Sequence, residues 1–204
     1  EFLIFVDADM TFDKNYLKNL ISPLEQDKRI IGTTHDYEIA TNIHNKISLL
    51  WGEVRVSKNE AGNIKIFKAI RKNKFLELGG FDSKYGYADD QTFWIKYKLK
   101  PKVANDTICY HRNPETLDET FKQARWIGAS WKTRFKIFSI PLVNIIFLGI
   151  LLLFFYLIVF IKALQGGKNN KSLSFGFRLK FYYYKFKGYL AGLSRAIFFD
   201  ENFK

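Results

Sequence analysis

The sequence predicts an α/β fold joined to a membrane-directed tail, and three observations carry that prediction. Short apolar runs alternate with segments of helical period over residues 1–136, the 25 residues from 137 to 161 carry no charge, and the residues after them are aromatic and basic together. Alternating strands and helices imply a mixed sheet packed between helices.

The elements follow in order. An apolar strand at 2–6 leads into a helix over 13–26, where Tyr16, Leu17, Leu20 and Leu24 recur at helical spacing. A strand at 30–34 and a helix over 43–56 come next. A strand at 64–70 then runs to the turn "GGFD", whose Gly79 and Gly80 permit a tight reversal. A helix is expected from about Asp90, a strand at 103–110 and a helix over 117–131. The chain enters its first strand directly from Glu1, without an initiator methionine, and is expected to be the later part of a longer protein whose preceding half carries part of the site. No internal repeat or low-complexity tract interrupts the pattern.

Composition narrows the classes. The lone Cys109 excludes a disulfide-built scaffold and a multi-cysteine zinc site. The net charge is +12, and residues 162–204 hold nine basic and two acidic side chains, so more than half of the excess lies in the last fifth of the chain. No nucleic-acid recognition motif accompanies that excess, and anionic lipid headgroups are the expected partner.

Residues 137–161 would span about 37 Å as a helix, against a hydrocarbon core of about 30 Å. Lys132, Arg134 and Lys136 flank one end, Lys162 and Lys168 the other. Pro141, Asn144 and Gly149 leave a straight span and a re-entrant hairpin both open. In the tail, Arg178, Lys180, Lys185, Lys187 and Arg195 would each cost about 2.5–3.5 kcal/mol near a bilayer centre, whereas each apolar residue returns only about 0.5 kcal/mol. The tail is therefore expected as an interfacial helix. A single crossing would carry its positive excess to the far side, against the positive-inside tendency.

The run "IFVDADM" ends the first strand with Asp7 and Asp9, at the end of a strand where open α/β sheets bind ligands. Alternate residues of extended chain face one way, so both carboxylates are expected to point at one cation, and hard oxygen ligands suit Mg²⁺ or Mn²⁺. A second acidic pair, Asp89 and Asp90, follows "GGFDSKYGYA"; a carboxylate there can accept a proton from an incoming hydroxyl. Each pair has a plainer role open to it as a strand end or helix cap.

The order of "DAD", "GGFD" with its acidic pair, and "KQARW" at 122–126 ahead of an apolar segment resembles the membrane-anchored family 2 glycosyltransferases of the GT-A fold. The resemblance covers about residues 1–135 and implies a partial GT-A catalytic domain at 1–136, a transmembrane or re-entrant segment at 137–161 and a basic amphipathic tail at 162–204. It implies a nucleotide-sugar donor contacted by Asp7, a metal held by Asp9, and Asp90 as the base of an inverting transfer, with Asp89 beside it in the substrate site. His111 matches a further metal or phosphate contact. Arg125 and Trp126 match residues that line the acceptor and diphosphate region, Arg offering a planar fork and Trp a flat face for a sugar ring.

The implied acceptor is membrane-associated, such as a lipid-linked saccharide, and the implied location is the membrane, with the catalytic part on the cytoplasmic side. Asp89 and Thr92 depart from the more usual Glu and Asp of the family, and Lys122 stands where processive polysaccharide synthases, the alternative within the class, have a Gln. A non-catalytic membrane-anchored binding protein is the alternative outside it. The fragment alone is expected to be inactive.

Overall fold

The computed structural model describes residues 1–58, 60–131, 141–169 and 172–199. In chain order the elements are β1 (Phe2–Ile4), β2 (Met10–Phe12), α1 (Tyr16–Gln26), β3 (Gly32–Ala40), α2 (Lys46–Trp51), β4 (Val54–Val56), β5 (Ala69–Arg71), α3 (Lys72–Glu77), α4 (Thr92–Tyr97), β6 (Lys102–His111), α5 (Leu117–Ala129), α6 (Pro141–Asn169) and α7 (Phe175–Phe199). Short 3-10 turns lie at Ala61–Asn63 and Ser83–Gln91. The chain divides into a sheet unit, residues 1–43, 52–82 and 89–113, and a helical unit, residues 44–51, 83–88 and 114 onward.

The sheet unit carries all six strands in the order β1-β5-β3-β6-β2, with β4 paired to β3. Only β3 and β6 run parallel, so the sheet is mixed, as the alternation implied. One face packs Tyr16, Leu20 and Leu24 of α1 against Met10, Ala69, Ala104 and Cys109. The other face is aromatic: Phe67, Ile70 and Phe93 pack with Phe5, Phe75 and Phe81. Leu17, expected on the buried stripe of α1, is 52 % exposed, because the stripe closes with Tyr16, Leu20 and Leu24 alone.

Three elements differ from expectation for local reasons. β3 runs on to Ala40 through polar residues, most of which find partners in α1 and β6, while the buried Thr34 hydroxyl has none. Thr33 Oγ1 donates to the Leu20 carbonyl at 2.7 Å. The Asp36 carboxylate accepts the Asp106 and Thr107 N–H groups at 3.0 and 3.1 Å, where the β3–β6 register shifts. The helix expected over 43–56 stops at Trp51; Gly52, at φ +144°, ends it, and the alternating Val54-Arg55-Val56 continues as strand. β2, too short for a periodicity signal, follows Asp9 directly and pairs with β6 from Met10↔His111 to Phe12↔Cys109.

In the helical unit α7 lies between α5 and α6. Glycines allow α5 and α7 to approach closely: a Cβ on Gly188 would lie 2.6 Å from the Phe121 carbonyl, and Gly128 and Gly192 are similarly confined by Tyr189 and Arg125. α7 folds back along α6, with Phe155 on Tyr183 at 5.6 Å and Phe160 on Phe175 at 5.5 Å. Gly166 and Gly167 of α6 leave room for Tyr182 and Arg178, and Arg178 Nε donates to the Ala163 carbonyl at 2.9 Å.

α6 is continuous through Gly149, so the hairpin alternative within the apolar run does not describe these residues. Among the described residues it is the one helix long and apolar enough to cross a membrane: Ile145–Gly167 has mean hydropathy 2.8 and only 11 % of its most apolar window is buried. Lys132, Arg134 and Lys136, and the start of the apolar run at 137–140, lie outside the described residues.

Candidate active site

The end of β1 delivers the first carboxylate. Phe5 N–H still donates to the Lys68 carbonyl at 2.9 Å, after which Met10 N–H donates to the Asp7 carbonyl at 3.2 Å and closes a turn over residues 7–10. Asp7 and Asp9 are therefore not alternate residues of one extended strand, and extended geometry does not point both at a single cation as expected. The turn separates them, because β2 must start at Met10 to meet β6.

Asp7 faces Lys68, whose ammonium lies 3.2 Å from Oδ2. The lysine side chain is only 10 % exposed. A buried ammonium needs a counter-charge, and Asp7 supplies it. Around them is a cavity of about 330 Å³, lined by Asp7, Lys68, Asp89, Asp90, Phe67 and Phe81 among others. The two acidic motifs of the sequence thus border one space.

The second motif is held there by its loop. The N–H groups of Gly79 and Gly80 bond back to the Leu76 and Phe75 carbonyls at 3.0 Å, with φ of +80° and +69°, a left-handed stop to α3 that glycine adopts without steric cost. Thr92 then ties the loop ends together: its hydroxyl accepts the Asp82 N–H at 2.9 Å and donates to the Asp89 carbonyl at 2.6 Å. Thr92 is fully buried, and its hydroxyl has a structural role in the loop. Asp82 is neutralised by Lys96 at 2.8 Å. Gln91 precedes α4 and its side chain makes no capping bond, while Asp90 lies in the turn before it.

Asp9 belongs to a neighbouring group. Its Oδ2 lies 3.6 Å from His111 Nε2, and His111 Nδ1 lies 3.8 Å from Glu38 Oε1. Both separations exceed a hydrogen bond, and neither ring nitrogen of this buried histidine has a hydrogen-bond partner. Burial pushes His111 below its ordinary value, the Arg55 charge adds to this, and Asp9, Glu38 and Asp7 oppose it. A neutral buried imidazole with an orphaned nitrogen facing a carboxylate is a donor pair that fits a divalent cation.

Behind His111 the network continues. His35 Nε2 lies 3.1 Å from Glu38 Oε2, and its Nδ1 lies 3.4 Å from both the Tyr16 hydroxyl and Cys109 Sγ. Burial alone would raise the Glu38 carboxyl, but the bond to His35 and the His35 and Arg55 charges hold it down to about 2. The donor atoms of His35, Glu38 and Cys109 lie within 4.8 Å of one another. Burial pushes the Cys109 thiol well above its ordinary range, which keeps it protonated and favours a hydrogen-bonded core over a thiolate–metal bond.

Arg125 and Trp126 belong to α5 of the helical unit. Trp126 is 44 % exposed and meets Tyr87 edge to face at 5.0 Å, so the indole is not a core residue of that unit. Sequence reasoning missed Lys68, His35 and Glu38. The signal for Lys68 was a single cation inside the otherwise apolar run "IFKAI"; for the others it was an unusually polar strand, "GTTHDYE". No family model matches this chain, and no curated protein matches it.

Proposed function

We propose that the protein is a metal-dependent inverting glycosyltransferase, moving a sugar from a nucleoside-diphosphate donor to a membrane-associated acceptor such as a lipid-linked saccharide. The observation that carries this reading is the single cavity bordered by Asp7 and by the distant pair Asp89 and Asp90. Structural carboxylates are ordinarily dispersed or capped by cations; here three meet around open space with one buried lysine. The resemblance to the GT-A family gives that arrangement its reaction class.

In this reading Asp90 accepts the acceptor's hydroxyl proton as the oxygen attacks the anomeric carbon. The bond from that carbon to the diphosphate breaks in the same displacement, and the diphosphate leaves with the electron pair. Asp7 contacts the nucleotide, and Lys68 fixes the Asp7 carboxylate while reducing the negative charge that a diphosphate meets. Asp9 and His111 would hold a divalent cation. Such a cation, when bound, neutralises charge developing on the departing diphosphate.

The helical unit supplies the membrane part of the proposal. On α6 Leu152, Leu153, Tyr156 and Leu157 are more than half exposed, an arrangement that water disfavours and lipid does not. The catalytic part is assigned to the cytoplasmic side, where activated sugars are made. Tethering raises the effective concentration of a membrane-borne acceptor.

Mn²⁺-dependent hydrolysis of a nucleotide-sugar by the full-length protein tests the proposal. It should be present in the wild type and lost in Asp9→Ala. Donor binding without turnover under any metal would instead favour the non-catalytic alternative.

A further inference from the structure

On the sheet unit, three lysine ammoniums converge on one indole. Lys65 Nζ lies 4.9 Å from the centroid of the Trp94 ring, and Lys98 and Lys100 each lie 5.3 Å from it. Among the described residues none of the three makes an ion pair. Like charges gathered on one half-buried ring repel, and the ring quadrupole offsets that repulsion only in part.

The backbone is strained to make the arrangement. Lys98 caps α4 at φ +58°, in the left-handed region that glycine or asparagine occupies more cheaply. That turn brings Lys100 back to the ring already met by Lys98. A lysine in this region is uncommon, and such outliers gather at functional sites.

We propose that this face docks on anionic phospholipid headgroups, the lysines meeting lipid phosphates and Trp94 entering the headgroup boundary. Two properties select lipid over other anions. An amphipathic indole ringed by long cationic side chains is the composition that settles at a membrane interface. The same chain carries a helix of 23 residues suited to a bilayer, so anionic lipid is the polyanion present at high local concentration. The proposal is independent of the transfer chemistry, because none of these residues lines the cavity at Asp7 and Asp90.

The test uses the full chain in lipid nanodiscs, with phosphatidylcholine alone or mixed with phosphatidylglycerol. Quenching of Trp94 by brominated acyl chains is read as the difference between wild type and Trp94→Phe. We expect quenching in the anionic discs, its loss at about 1 M salt, where the Debye length falls to about 3 Å, and weaker docking by about fivefold for each lysine replaced by glutamine.

Acylation of Lys65, Lys98 and Lys100 in the unsubstituted protein, read by mass spectrometry, should be suppressed in the anionic discs alone. This arm remains informative if a variant folds poorly. Equal quenching and acylation in the two disc types would overturn the proposal. So would protection of the three lysines by an acidic peptide or an oligonucleotide but not by anionic lipid.

Discussion

The two units distribute polarity in opposite ways. In the sheet unit β3 buries Thr33, Thr34, His35, Asp36 and Glu38, whereas in the helical unit α6 exposes Leu152, Leu153, Tyr156 and Leu157. Burial of polar groups is tolerated where they find partners, and α1 and β6 supply them to Thr33, His35 and Asp36, though not to the Thr34 hydroxyl. Exposure of a continuous apolar surface has no such remedy in water. The difference teaches that one unit buries a polar strand between apolar cores, whereas the other presents a helix long and apolar enough, by length and composition, to cross a membrane.

Substitutions sharpen that contrast, beginning with the largest. Phe93 joins the aromatic face through edge-on contacts with Phe67 and Phe75 at 5.6 and 5.8 Å. Phe93→Ala should cost about 3–5 kcal/mol in chemical denaturation of the sheet unit. On α6, Leu153 is 77 % exposed. Leu153→Lys should leave the protein's fold in detergent unchanged yet oppose bilayer insertion by about 2.5–3.5 kcal/mol; equal insertion of the two proteins would remove the membrane-crossing reading.

Glu38 tests the polar interior. Its carboxyl is held at about 2 against an ordinary 4.5, so its stabilising contribution is complete above pH 4.5 and lost as pH falls toward 2. Glu38→Gln should destabilise by about 1–3 kcal/mol at neutral pH and flatten the acid limb of stability against pH over that window. An unchanged acid limb would mean that the His35–Glu38 bond contributes nothing. The smallest effect has the opposite sign: Lys98→Gly should stabilise by up to about 1 kcal/mol while weakening docking on anionic lipid.

What the sequence made legible follows from signal length. The long periodic segments, α1, α5 and α6, and the strand β6 were readable because apolar spacing persisted for many residues. β2, with three residues, was too short to carry a period, and of the strand expected at 64–70 only its end forms β5 at Ala69–Arg71. The full length of β3 was hidden because its buried residues are polar, and its partners come from distant segments.

At the site, Asp7, Asp89 and Asp90 were legible as carboxylates beside strand and glycine signals. The turn that separates Asp9 from Asp7 was not, since it depends on where β2 meets β6. Lys68 was missed because a lone lysine in a strand ordinarily faces solvent, and its meaning rests on an aspartate far away in the chain.

The central claim is that the carboxylates bordering the cavity work on a hydroxyl nucleophile beside a separately held cation. Sugar transfer by the full-length Asp90→Asn variant, with Mn²⁺ binding followed in parallel by electron paramagnetic resonance, tests it most directly. The account predicts Mn²⁺ binding equal to wild type and transfer reduced by about 10²–10⁴-fold. Transfer at the wild-type rate would contradict it.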